Sequence, residues 1–197
     1  MEEPRDKVSF RPTIYLGLDI GIRRDTAALC GVYPTDGLQL AMHGLRIFDP
    51  TKMGHEVEIP KITDFILFLM KTERVAGIWY DPYQYIGEAQ RIRREGFGRL
   101  LHEVNQQSES TAFTSSLKSV MDSGSLWLLD DPTLSSHFDS ADVTVGERGW
   151  RIVKRHQAQK IDGVIALAMA VYGAMSGQGE ASKFERHRNI RSLIKAA

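Results

Sequence analysis

An apolar run, Ile14-Tyr-Leu-Gly-Leu18, delivers an acid, Asp19, at its end, and a glycine, Gly21, follows. A polar turn through Asp25 leads to a second apolar run over 26–33. This pattern predicts a strand, a tight turn and an antiparallel strand. Pro34-Thr-Asp-Gly37 is a hairpin signal, so a third strand is expected over 39–48. Ile62, Phe65, Ile66 and Leu69 recur at helical spacing behind Pro60, which predicts a helix over 59–73. Val75–Tyr80 reads as a short strand stopped by Asp81-Pro82, and a helix over 84–95 closes with Gly96. A strand at 100–104, a helix near 114–123, a short apolar segment at 126–129 and a hairpin of 143–147 with 150–154 complete the middle. The last helix, Lys160–Met175, has one face of Ile161, Ile165, Ala168 and Tyr172, and a small-residue face of Ala166, Ala170 and Gly173. A meander followed by alternating strands and helices predicts an α/β fold: a central mixed sheet, antiparallel meander plus parallel strands, with helices on both faces.

The 197 residues suit one domain with a sizeable core, and no internal repeat or low-complexity stretch interrupts them. The 25 basic and 25 acidic residues give no global pull toward nucleic acid or membrane. They are unevenly placed: residues 176–197 hold five Lys or Arg against Glu180 and Glu185. A boundary is therefore expected at Ser176-Gly-Gln-Gly179, dividing a domain over 1–175 from a basic tail over 176–197 that is read as a short helix or disordered. The single cysteine, Cys30, lies in an apolar run and reads as a small core hydrophobe, which excludes an internal disulfide and favours a reducing compartment. The polar N-terminus lacks a signal-peptide core, and no stretch approaches the roughly 20 apolar residues of a membrane span.

Three acids end or begin predicted elements. Asp19 closes the first strand, Asp81 closes the strand after the first long helix, and Asp162 sits in the first turn of the last helix. If the first and fourth strands are neighbours, Asp19 and Asp81 emerge side by side, and a helix across that end brings Asp162 to them. Close carboxylates repel one another unless cations neutralise them. Hard oxygen ligands select Mg²⁺ or Mn²⁺, and two such ions roughly 4 Å apart suit in-line phosphoryl displacement. Taken singly, each acid has a plainer reading, as a turn residue before proline for Asp81 or a helix N-terminal charge for Asp162.

Leu18-Asp19-Ile20-Gly21 with Asp25, Trp79-Tyr80-Asp81-Pro82-Tyr83, and Lys160-Ile161-Asp162-Gly163 followed by Val-Ile-Ala-Leu-Ala-Met-Ala together resemble the nuclease domain of the large terminase subunit of tailed bacteriophages. Asn105-Gln106-Gln107 and the stretch 117–128 also resemble the corresponding part of that family, so the likeness covers roughly 14–175. The resemblance implies an RNase H-like fold and a metal-dependent endonuclease that cuts double-stranded DNA concatemers during genome packaging. It carries the metal-binding and catalytic triad onto Asp19, Asp81 and Asp162, with Asp19 bridging two Mg²⁺ or Mn²⁺ ions, and an accessory acid onto Asp25. Some members place a further acid where this chain has Ile161, which leaves the second ion's ligands open. The resemblance further implies double-stranded DNA, a packaging ATPase, the portal and the small terminase subunit as partners, no membrane, and the infected host's cytoplasm as the location. The chain has no Gly-x-x-x-x-Gly-Lys-Ser/Thr phosphate loop, so it is expected not to hydrolyse ATP; an isolated nuclease module is expected to be a monomer.

Arg148, Arg151, Lys154, Arg155 and Lys160 around the late hairpin, and Arg23 and Arg24 beside Asp19, are candidate DNA contacts, sequence-independent and salt-sensitive. The competing reading is a solvated hairpin face, and for the arginine pair an ion pair with Asp25. Lys154 or Lys160 is a candidate for stabilising transition-state charge. His102 and His156 are weaker candidates as proton carriers. Three other classes remain: a fragment of the actin and sugar-kinase superfamily, another RNase H-like enzyme such as a junction resolvase or transposase core, and a non-catalytic docking module.

Overall fold

The structure is a computed structural model that describes residues 11–21, 26–35, 39–50, 56–147 and 149–177. Strands β1 (Thr13–Ile20), β2 (Ala27–Pro34) and β3 (Leu40–Phe48) form the antiparallel meander expected from their apolar runs. Helix α1 (Ile59–Thr72) carries Ile62, Ile66 and Met70 inward at helical spacing and returns the chain to β4 (Arg74–Tyr80), which lies parallel to β1. Two short parallel strands, β5 (Leu101–Glu103) and β6 (Leu126–Trp127), finish a six-stranded sheet of order β5-β4-β1-β2-β3-β6.

Side-chain alternation along β1 divides the core in two. Ile14, Leu16 and Leu18 pack with α1 and with α2 (Ile86–Ile92) on one face. Tyr15 packs on the other face with α5 (Asp162–Ser176). Helix α5 is buried almost throughout, because it lies between the sheet and two outer helices, α3 (Gln106–Asp122) and α4 (Pro132–Ser140). Its small-residue face does what the sequence predicts. A Cβ on Gly17 of β1 would stand 2.0 Å from the Ala166 carbonyl oxygen, so strand and helix backbones touch directly, and Gly173 lies against Trp79. Cys30 is fully buried, as expected, and burial pushes its thiol pKa up.

Three stretches differ from expectation. Helix α3 starts at Gln106, well before 114, because Asn105 caps it: its Oδ1 accepts the Gln107 and Ser108 N–H groups while Glu109 Oε2 accepts the Asn105 N–H at 2.7 Å. Helix α4 was not expected, although Asp131 caps it through the Thr133 and Leu134 N–H groups and Pro132 opens it. The helix predicted over 84–95 is instead a 3₁₀ turn (Pro82–Gln84), the short α2, and a π-helical turn (Arg93–Phe97) bent at Gly96, whose φ is +89°. The hairpin is present as β7 (Ala141–Gly146) and β8 (Gly149–Lys154), a separate two-stranded sheet packed on α3, where the Ile152 N–H donates to Thr114 Oγ1. The boundary and tail assigned to 176–197 lie outside the described residues beyond Gly177, which closes α5 in the left-handed conformation.

Candidate active site

Alternation also fixes where the acids point. Tyr15 and Gly17 of β1 face α5, so Asp19, two residues further, lies on the same face. In β4, Trp79 faces α5, and Asp81 follows it with the same parity just beyond the strand end. The parallel register pairs Leu18 with Tyr80, which leaves Asp19 and Asp81 next in line at the carboxyl ends of adjacent strands. Asp162 is the first residue of α5. All three acids line one cleft of about 830 Å³. Asn105, Gln106 and Gln107 at the start of α3, and Arg151 and Lys154 on β8, line it as well.

Each acid is held by a donor from the protein. Gln106 Nε2 donates to Asp19 Oδ1 at 2.7 Å, from a helix start locked by the Asn105 cap. The Tyr83 N–H donates to Asp81 Oδ1 at 2.9 Å and closes the 3₁₀ turn that begins at Pro82. Asp162 is only 4% exposed, and the hydroxyl of buried Thr26, just ahead of β2, donates to its Oδ2. A carboxylate at that depth needs such a partner, and the N-terminal end of α5 adds a favourable dipole. The next residue, Gly163, donates its N–H to Nδ1 of buried His137 on α4 at 2.9 Å. A Cβ at Gly163 would lie 2.8 Å from that nitrogen, so a glycine is what lets the ring approach.

Asp19, Asp81, Asp162, Arg151 and Lys154 are therefore brought to one cleft. Arg155 is not among its lining residues: its Nη2 donates to the Ala141 carbonyl at 3.5 Å and braces the hairpin base. Lys160 is outside the lining too. Asp25, Arg23, Arg24 and Arg148 lie outside the described residues. Neither histidine suggested as a proton carrier lines the cleft; His102 stacks on Trp79 at 4.3 Å and His156 is exposed. Thr26, Gln106 and His137 were not singled out as site residues from sequence. Only Gln106 had a nearby signal, the helix-capping pattern from Asn105 to Glu109.

The donors around the cleft are carboxylate and amide oxygens, a set that suits a hard divalent cation. Among the described residues, no three His, Cys, Asp or Glu side chains are gathered closely enough to hold one ion. Each of the three acids is tied to its own protein donor.

A family model described as the endonuclease domain of the terminase large subunit matches residues 51–178. Among solved structures, the large terminase of bacteriophage HK97 is similar with a TM-score of 0.70 and 18% identity, over 84% of this chain and 40% of that one. The large terminase nuclease of thermophilic phage G20c is similar at 0.64 and 16%, over 81% of each chain. The G20c nuclease with bound magnesium is similar at 0.61 and 16%, over 86% of this chain and 84% of that one. At these identities the likeness is one of fold, and it identifies the mixed sheet and its helices as RNase H-like. The chain spans 40% of the length of the HK97 protein. No curated protein matches it.

Proposed function

The chain belongs to the family of terminase large subunit endonuclease domains, and from that premise we propose that it cuts double-stranded viral DNA concatemers during genome packaging, using divalent metal. The observation that carries this reading is the convergence of Asp19, Asp81 and Asp162, from β1, the end of β4 and the start of α5, on one cleft walled by Arg151 and Lys154.

Asp19, Asp81 and Asp162 would hold Mg²⁺ or Mn²⁺, with Asp25 as an accessory ligand. Two such ions, when bound, supply Lewis-acid chemistry for phosphodiester hydrolysis, activating water and stabilising the leaving oxygen. The protein's own part is positional and electrostatic. Gln106 and Thr26 fix the orientation of Asp19 and Asp162, and the Tyr83 N–H fixes Asp81. Arg151 and Lys154 draw the phosphate backbone to the acids and offset its charge, without reading sequence. Arg155 and Lys160, and from the sequence Arg23, Arg24 and Arg148, are further candidates for sequence-independent phosphate contacts. In the complete system the domain works with a packaging ATPase, the portal and the small terminase subunit in the host cytoplasm; in isolation it is a monomer without ATPase activity. No helix among the described residues is long and apolar enough to cross a membrane.

The test is plasmid cleavage in Mg²⁺ or Mn²⁺ by the wild-type chain, Asp81→Ala and Asp162→Ala. Wild type should convert supercoiled plasmid to linear fragments, and both variants should lose activity by at least about a hundredfold, as expected when a group acting on the transition state is removed. Equal cleavage by all three would remove the triad. Preference for a four-way junction over linear duplex would move the chain to the resolvases.

A further inference from the structure

The rim of the cleft beside Asp81 has a feature that the metal chemistry does not use. Tyr83 is 83% exposed and Ile86 57% exposed, and both line the cleft. Scattered exposed apolar residues are ordinary on protein surfaces. These two differ in lining one cleft, in flanking a catalytic acid, and in standing on a rigid support.

That support is built from both sides. Pro82 restricts the backbone at the start of the turn. Asp81 Oδ1 accepts the Tyr83 N–H, and the Tyr85 N–H closes the turn on the Pro82 carbonyl at 3.1 Å. Beneath it Tyr85 is fully buried, with its hydroxyl 2.8 Å from Thr63 Oγ1. The turn thus presents the Tyr83 ring outward, and among the described residues that ring has no aromatic or hydrogen-bond partner. The cleft's polarity is divided accordingly. Arg151 and Lys154 form a cationic wall, the three acids line the interior, and Tyr83 with Ile86 forms an apolar lip.

A nucleic acid strand has the same division, with anionic phosphates on one side and flat, apolar bases and sugars on the other. We propose that Tyr83 and Ile86 form a binding subsite for the base and deoxyribose of an unpaired nucleotide, frayed from the duplex beside the scissile phosphate, the Tyr83 ring stacking on the base and Ile86 packing against the sugar. This rests on the nuclease reading of the cleft. Every base offers a π-face, so the subsite is sequence-tolerant. Because the Tyr83 backbone is bonded to Asp81, a nucleotide seated on the ring is registered against a catalytic acid.

Binding of a fluorescein-labelled duplex with a frayed, single-stranded end should be followed by anisotropy without added divalent metal, across a salt series, for wild type, Tyr83→Ala, Tyr83→Phe, Ile86→Ser and Lys154→Ala. Loss of one base–aromatic stack predicts binding weakened about tenfold in Tyr83→Ala. The slope of affinity against salt should be unchanged in that variant, because no phosphate contact is lost. Tyr83→Phe should bind as wild type, and Ile86→Ser should fall between. Lys154→Ala should instead lower the salt slope by about one. In cleavage assays Tyr83→Ala should raise KM by more than it lowers kcat. Wild-type affinity in Tyr83→Ala, or a loss that changes the salt slope, would overturn the subsite. Absence of cleavage by wild type, with the Tyr83 dependence of binding intact, would count against the nuclease reading and not against the subsite.

Discussion

Gln106 and Asp19 stand 87 positions apart in the chain and are joined by a 2.7 Å hydrogen bond from amide to carboxylate. The Gln106 main-chain carbonyl in turn accepts Arg151 Nη2 at 3.4 Å, so the hairpin, the start of α3 and the end of β1 are linked in series. Gln106→Glu replaces the donor with a second carboxylate against Asp19. Without metal it should lower stability by about 1–3 kcal/mol, through loss of the hydrogen bond and like-charge repulsion. Added Mg²⁺ should raise its Tm by more than it raises that of wild type. Melting curves with and without Mg²⁺ check this, and equal Mg²⁺ shifts would refute it.

The contact between His137 and Gly163 ties α4 to the first turn of α5. Gly163→Ala places a methyl 2.8 Å from His137 Nδ1 and forces the pair apart. The expected cost is about 1–3 kcal/mol, that of a buried N–H left unsatisfied. The double variant Gly163→Ala/His137→Ala should lose less than the sum of the single changes, because both remove the same contact. Urea unfolding of the four proteins measures the coupling.

His102 stacks almost parallel on Trp79, at an interplanar angle of 9°. Its Nε2 is buried without a hydrogen-bond partner among the described residues. Burial lowers its pKa below the ordinary value of 6.5, so the unfolded chain takes up this proton before the folded one does. The stabilising contribution is therefore complete above about pH 6.5. It declines as pH falls toward the lower folded-state pKa and is then constant. Urea midpoints should drop between pH 7.5 and pH 5.5, and His102→Phe should flatten that part of the profile. An identical slope in the variant would show that other groups cause it.

Gly17→Ala should be the most damaging of these substitutions. Its methyl would stand 2.0 Å from the Ala166 carbonyl oxygen and 2.6 Å from the Ala170 nitrogen, both backbone atoms of α5. Neither can turn aside as a side chain would. A loss above about 4 kcal/mol is expected, in the range reserved for severe core disruption. Loss of soluble folded protein, or a large fall in urea midpoint, checks it.

The meander, α1, β4 and α5 were legible because their patterns are local: apolar runs for strands buried on both faces, and spaced apolar positions for helices. Asp19 and Asp81 stand side by side if β1 and β4 are neighbours, and the sheet order agrees. The first turns of α3 were not legible from hydrophobicity, since Gln106-Gln-Ser-Glu-Ser-Thr111 offers little apolar periodicity and the helix is set by its cap. Helix α4 is hard to read from hydrophobic periodicity although Asp131-Pro132 is a start signal, because only nine residues follow that start. Thr26 holds Asp162 across 136 positions and His137 holds Gly163 across 26, and no spacing rule reaches such pairs. Their partners are chosen by tertiary packing.

The backbone contact at Gly17 has a mechanical consequence for the cleft. Asp19 lies two residues along the strand from it, and Asp162 lies four residues before Ala166 on the opposing helix. With no intervening side chain to change rotamer, strand and helix form one stiff body, and these two acids share its frame of reference. Asp81 follows β4, whose backbone ladder to β1 makes it part of that body, whereas the hairpin bearing Lys154 is a separate two-stranded sheet attached through the Ile152 N–H bond to Thr114 and packing. Any breathing of the cleft is thus concentrated on its hairpin side, leaving the three acids as the fixed jaw opposite it.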